Sequence, residues 1–446
     1  MSTDAPHRCD VVVIGGGPAG STIAALLAER GWKVVVLEKD RHPRFHIGES
    51  LLPHNNPLFE RLGVLEEVRE IGLVKNGAQF SSMYHGKAET FYFRQALDKS
   101  LPSGFEVHRA DLDHLLLRNA ARKGVEVLEE TRAEQVDFGR DEVRVRARGN
   151  ETSGPETSGP ETSAPQGVRE WRARFLVDAS GRDTFLAGLL RIKEANPKHA
   201  SVALYGHYEN AQRSPGEDEG NISIYWFDHG WFWFIPLQRG ITSVGAVCWP
   251  YYLKRRKDSL EQFLDETIAL CPALAERLAQ ARRIAPVTAT GNYSYQATRC
   301  TGANYLIVGD AYAFVDPVFS SGVYLAMSSA FTGAEAVDAA LRDPVGSTRA
   351  LARYERHVRR GIRTFSWFIY RITTPAMRDL LMGPKNVLGV VDGLTSFLAG
   401  DIYRANGVRA RIRVFQLIYY FFSALSPRRT LAAMRRRREN IRPATL

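Results

Sequence analysis

The stretch Asp10–Glu38, DVVVIGGGPAGSTIAALLAERGWKVVVLE, decides the fold. Val11-Val12-Val13-Ile14 is a short run of β-branched residues, and the glycine turn Gly15-Gly16-Gly17-Pro18-Ala19-Gly20 follows at once. Ser21 to Arg30 carries helical apolar spacing, and Val34-Val35-Val36-Leu37 reads as a second strand, so the segment is a βαβ start. Gly15 permits the tight turn, Gly17 lets the backbone approach a pyrophosphate, and Gly20 lets helix and strand pack closely. Pro18, Ala19 and Ser21 complete the cradle at a helix start, whose N–H groups suit phosphates. Glu38 ends the second strand, where a carboxylate can accept from a ribose hydroxyl. A glycine-rich turn alone also occurs in ligand-free α/β domains; the flanking strands and the acid point to a dinucleotide.

The chain's 446 residues can bury a large core and suggest two or three domains, or one domain with a substantial insertion. Cys9, Cys248, Cys271 and Cys300 show no CxxC and no metal spacing, so no metal site is expected and reduced thiols in a cytoplasm are the simplest account. Met1–Asp10 is polar and runs straight into the first strand, which reads as no room for a signal peptide. The longest nearly unbroken apolar run, Val414–Leu425, is about half the ~20 residues of a spanning helix. Net charge is +10 and uneven: Arg404, Arg409, Arg411, Arg413, Arg428, Arg429 and Arg435 to Arg438 crowd the C-terminal region. A solvated helical face explains this, as does contact with an acidic partner such as an acyl carrier protein, or with anionic lipid. No nucleic-acid-binding module accompanies the charge.

The pattern predicts an α/β fold: a Rossmann-type dinucleotide domain, an inserted, mostly antiparallel β-sheet layer, and a helical C-terminal region. Residues 1–194 form the first part of the dinucleotide domain. Asp111 is the expected N-cap of an amphipathic helix, and the tandem pentapeptide at 151–165 is expected to be a mobile hairpin tip. Residues 195–295 form the inserted substrate layer, 296–345 the return segment, and 346–446 the helical region. The return begins at Tyr305-Leu306-Ile307-Val308 and turns at Gly309-Asp310.

Two further stretches carry candidate chemistry. Trp231 and Trp233 are two apart on a predicted strand, so both indoles face one side and Phe232 and Phe234 the other; alternate aromatics usually mean two packed faces. Ser320, Ser321 and Gly322 sit where a helix begins, so its unpaired N–H groups favour an anion, although a serine there also serves as a cap.

Gly15–Gly20 with Glu38, Arg109 before its helix, Asp178-Ala179-Ser180-Gly181 and Gly309-Asp310 together resemble the FAD-dependent monooxygenase superfamily. Trp231-Phe232-Trp233-Phe234-Ile235-Pro236 is similar to the WxWxIP signature of flavin-dependent halogenases, and Gly309–Val323 resembles their flavin and chloride loop. The loop Pro43–Pro53 and Leu398–Asp401 look like the same group.

The resemblance implies that FAD, supplied reduced, lies against the glycine turn, Glu38, Lys39, Arg44, Ile47, Gly48, Glu49, Ser50, Arg109, Asp178, Gly181, Asp310, Pro317, Gly322 and Val323. His46 reads as a loop histidine lining FAD, with a catalytic role as the alternative. Amides around Ser321 and Gly322, with Ser320, would hold chloride or bromide. A lysine on a strand is most often a surface residue, yet Lys75 occupies the place of the halogenases' active-site lysine; hypohalous acid would reach it through a tunnel. The Trp231–Pro236 motif, with Trp231, Trp233, Ile235 and Pro236 counted in the active site, would keep substrate away from flavin.

Phe319 stands where the tryptophan-acting branch carries Glu, so the Phe-Ser-Ser-Gly form resembles the phenol and pyrrole branch, whose substrates are often held on a carrier protein. With no second dinucleotide fingerprint, a separate flavin reductase is implied. A hydroxylase using NAD(P)H directly, and a prenyl reductase of the geranylgeranyl reductase type, are the competing readings.

Overall fold

The computed structural model describes residues 7–150, 166–291, 294–343, 346–404 and 407–441; the pentapeptide repeat at 151–165 lies outside them. The first buried layer is a five-stranded parallel sheet in the order Tyr305–Ile307, Phe175–Asp178, Val11–Ile14, Val34–Leu37, Glu126–Leu128. Val11–Ile14 and Val34–Leu37 are unbroken apolar runs, and Phe175–Asp178 is apolar up to its final aspartate, because both faces are covered. Helices α1 (Pro18–Ala28), α2 (Arg109–Arg122) and α3 (Gly322–Arg342) share its core, as do Val136, Val143, Val145 and Trp171 of a smaller four-stranded sheet. Helix α2 begins at Arg109, with His108 rather than Asp111 at its N-cap. The reason is local: Arg109 reaches one turn forward and grips Asp113 with Nε and Nη2 at 2.8 and 2.9 Å, while Asp111 pairs with Arg239.

The second layer is an eight-stranded sheet. Most of it comes from 195–295, and Gly77–Ser82 and Lys87–Tyr92 join it from before residue 100, in the stretch assigned to the dinucleotide domain. Ile222–Phe227 pairs in parallel with Gly77–Ser82, whereas the neighbouring ladders are antiparallel. Strand Gly230–Pro236 splits its side chains as the period of two requires. Trp231, Trp233 and Ile235 enter one core with C-terminal residues such as Phe368, Phe397 and Phe415; Phe232 and Phe234 enter another, closed by Phe263, Leu264 and Leu274. Opposite Trp233 stands Gly245, where a Cβ would lie 2.3 Å from the indole, so the glycine makes room for the ring.

The C-terminal region is helical, including α4 (Thr348–Ile369), α5 (Val408–Leu425) and α6 (Pro427–Ile441). Among the described residues no helix is long and apolar enough to cross a membrane.

Candidate active site

A cavity of about 820 Å³ lies between the carboxyl edge of the parallel sheet and the tryptophan face of the larger sheet. The glycine turn forms one wall. Gly15 has φ +99°, and a Cβ there would sit 2.4 Å from the Ala179 carbonyl oxygen; at Gly20 it would sit 1.9 Å from that of Gly15. At Gly17, which lines the cavity with Pro18 and Ala19, a Cβ would meet nothing nearer than Arg44 at 3.9 Å. Two glycines are therefore demanded by the fold, and the third leaves open space beside an α1 start that has no side-chain cap.

Glu38 lines the cavity and is held in place: Oε2 accepts from the Gly16 amide at 2.6 Å and Oε1 from the Asp40 amide at 2.9 Å. Lys39, Arg44, Ile47, Gly48, Glu49 and Ser50 all reach the same space. Arg109 steadies that loop by donating to the Ile47 carbonyl at 3.0 Å. Burial pushes the Asp310 carboxyl up to about 6, against the pull of Arg109 and Arg182. His46 also lines the cavity; burial, then Arg109, pulls it down to about 4, so its ring is neutral at pH 7 and serves as a wall and as a partner of the Ile47 carbonyl.

Gly181, Arg109, Asp310, Pro317, Gly322 and Val323 complete the lining, with Trp231, Trp233 and Ile235 opposite. Six expected site residues do not line it, Lys75 and Ser321 among them. Gly20 packs helix on strand, Ser21 Oγ donates to the Gly16 carbonyl, and Pro236 ends its strand. Asp178 accepts from the Ser180 and Leu186 amides and so ties down the turn that carries Gly181. The open glycine, the uncapped helix start and the Glu38 carboxylate at the wall fit a bound FAD.

The helix start expected at Ser320–Gly322 is present. Ser321 is the N-cap of α3 without a side-chain cap bond, and Ser320 takes φ +54°, a left-handed conformation that a non-glycine residue rarely adopts. Ser320 and Gly322 line the cavity, whereas Phe319 turns away to pack on Phe397 and Phe368.

Lys75 is 1% exposed and the only buried lysine among the described residues. It ends strand Gly72–Lys75, in which Val74 faces outward instead. Its Nζ donates to Ser50 Oγ at 2.7 Å and to the Leu51 carbonyl at 3.1 Å. Ser50 in turn donates to Glu106 Oε1 at 3.1 Å and accepts from Ser320 Oγ at 3.0 Å. Lys75 itself does not line the cavity; Ser50 lies between.

Glu106, fully buried, escapes sequence reading because its relation to Lys75 arises from strand pairing: Gly104 faces Lys75, and Glu106, two residues on, is its diagonal neighbour. Burial lowers the Lys75 pKa, with Glu106 opposing, and raises that of Glu106 to about 8, with Lys75 opposing. A second pair missed in the sequence is His207 with Glu49, Nε2 to Oε1 2.8 Å. A histidine on an otherwise apolar strand was its signal.

Residues 8–364 match the FAD binding domain family. The chain is 33% identical over 395 residues to the flavin-dependent halogenase armH3 of Armillaria mellea, covering 83% of this chain and 75% of that protein. To a 1H-pyrrole-2-carbonyl-[peptidyl-carrier protein] chlorinase of Pseudomonas fluorescens it is 29% identical over 440 residues, 92% and 93% of the two chains. The solved structure of the myxobacterial chondrochloren halogenase CndH superposes with a TM-score of 0.75 at 31% identity, over 93% of this chain and 97% of that one. The cavity, its glycine cradle and these likenesses agree: the chain belongs to the flavin-dependent halogenases and is an FAD enzyme.

Proposed function

We propose that the protein halogenates an electron-rich aromatic ring, a phenol or a pyrrole, free or carried on an acyl or peptidyl carrier protein, using chloride or bromide. Bound reduced FAD would supply, with O₂, the oxidising equivalent that turns halide into hypohalous acid. The α3 start offers the Ser321 and Gly322 amides, which with the Ser320 side chain would hold the halide where Ser320 and Gly322 line the cavity. Ser50 is shared by that wall and by Lys75, so oxidised halogen leaving the cavity meets the lysine next. Burial favours the neutral amine. Its nitrogen takes the halogen as hydroxide leaves with the amine proton, giving a haloamine and water; an electron-rich ring then accepts the halogen, and its ring proton returns to the nitrogen.

The observation that carries this reading is the enclosed Lys75 amine, one hydroxyl away from the cavity. Phe319, packed into the core where the resemblance sets a tryptophan-acting glutamate, favours a ring that stabilises its own positive charge. The single glycine turn of this type supports delivery of reduced FAD by a separate flavin reductase, and the free cysteines support a cytoplasmic setting.

The test supplies a reductase, halide and O₂ to the FAD-loaded enzyme with a panel of phenols and pyrroles, free and carrier-bound. Lys75→Met should keep FAD and release hypohalous acid to a scavenger, with no halogenated product. Undiminished product from Lys75→Met removes the lysine from its role. NADPH oxidation by the isolated protein with a hydroxylated product replaces the whole reading.

A further inference from the structure

The C-terminal helices present a surface that the cavity chemistry does not use. On α5, Arg409, Arg413, Leu417, Phe421 and Leu425 follow one another at intervals of four, so they form one stripe, and all are exposed. Leu417, Phe421 and Leu425 are 69%, 62% and 64% exposed, far beyond what a core-packing helix leaves in water. Phe422 stands beside them, and Leu431 and Met434 of α6 extend the apolar area. The opposite side of α5 is anchored by Ile412, Phe415 and Tyr419, so the stripe is not a mispacked core face.

Helix α6 has no buried residue. It is clipped to the body by Arg437, whose Nη2 donates to the Lys198 carbonyl at 3.1 Å and whose guanidinium covers the Tyr370 ring, and by Arg436 on the Asp228 carbonyl. Arg429 pairs with Asp379 of the body and Arg435 with Glu439, the one acid of the helix, and Arg428 and Arg438 are exposed beside them. None of the apolar residues named here lines the 820 Å³ cavity.

We propose that α5 and α6 form a docking face for an anionic lipid surface. Aromatic and leucine side chains standing out from a helix can enter the headgroup boundary, while arginines along and beyond the stripe meet phosphates. Charge selects this occupant over a second copy of the chain, because a symmetric contact would set Arg409, Arg413, Arg428 and Arg438 against their own duplicates. It also selects lipid over an acidic protein. A carrier would satisfy the arginines, but a protein that covers Leu417–Leu425 needs a complementary apolar trough, whereas a bilayer needs only depth.

The experiment is flotation of the FAD-loaded full chain with phosphatidylglycerol–phosphatidylcholine vesicles and with phosphatidylcholine vesicles. Binding should require phosphatidylglycerol and weaken as salt is raised. Phe421→Ser with Leu425→Ser, and separately Arg428→Glu with Arg438→Glu, should each reduce binding by about tenfold or more while bound FAD is unchanged. Absent flotation, or equal flotation on both vesicles, overturns the proposal. Self-association abolished by the serine pair, or capture by an acidic carrier protein without vesicle binding, overturns it in favour of that occupant.

Discussion

Glu106 Oε1 lies 3.9 Å from Lys75 Nζ, and one hydroxyl, that of Ser50, is bonded to both. The carboxylate's attraction favours the protonated lysine, so it works against the burial that favours the neutral amine. Burial holds Glu106 largely neutral until about pH 8, so that attraction acts only above this value. Glu106→Gln should therefore match the wild-type product formed per O₂ consumed below about pH 8 and exceed it above, where the ionised carboxylate of wild type favours the protonated lysine, while Glu106→Asp keeps the wild-type profile. Profiles that coincide above about pH 8 would show that the two groups are not coupled during turnover.

Ser50 is the junction between cavity and lysine: it accepts from Lys75 and Ser320 and donates to Glu106. Ser50→Ala leaves the buried Lys75 amine with one partner fewer and Glu106 Oε1 without its donor. The expected loss is about 1–3 kcal/mol of stability, read as a lower urea midpoint at unchanged slope. The variant should still bind FAD, but more hypohalous acid should reach an added scavenger for each product formed. Wild-type coupling in Ser50→Ala would dismiss the serine as the connection.

What the sequence made legible was local in pattern. The glycine turn with Glu38, the two-faced alternation of Trp231–Ile235 and the helix start at Ser321 each depend on neighbours within a few residues, and each stands where expected. Glu106 was invisible because only the pairing of Gly72–Lys75 with Gly104–Val107 brings it to the lysine. The inversion at Val74 and Lys75 misleads for a related reason: apolar patterning would bury the valine, but the loop at Ser50 and Leu51 supplies acceptors that draw the lysine nitrogen inside. The extra strands Gly77–Ser82 and Lys87–Tyr92 look like any others in isolation, and their parallel partner lies far along the chain.

The turn's glycines should separate experimentally. Gly20→Ala puts a Cβ 1.9 Å from a backbone oxygen, which neither helix nor strand can yield without breaking their packing, so it should abolish soluble folded protein. Gly17→Ala meets only the tip of Arg44 at 3.9 Å. Its ligand-free stability should stay within about 0.5 kcal/mol of wild type, while FAD affinity falls by about tenfold or more because the pyrophosphate can no longer approach the backbone. Fluorescence titration with FAD beside thermal unfolding distinguishes the two; unchanged affinity in Gly17→Ala would place the pyrophosphate elsewhere.

His207 and Glu49 give the molecule a pH signature. Burial opposes charge on the His207 ring, but the hydrogen bond and the negative charge of Glu49 outweigh it, so its pKa rises above the ordinary 6.5. A group that binds its proton more tightly when folded stabilises the fold below its unfolded pKa, and that contribution disappears as pH climbs through the folded value. Wild type should therefore gain stability relative to His207→Gln at pH 5 to 6 and lose the advantage progressively above about 6.5. Because Glu49 lines the cavity, loss of the proton also leaves that carboxylate without its cationic partner at the cofactor wall. Urea unfolding of both proteins across this range measures the difference directly, and a stability gap that widens with rising pH would mean that the ring is neutral in the folded protein throughout.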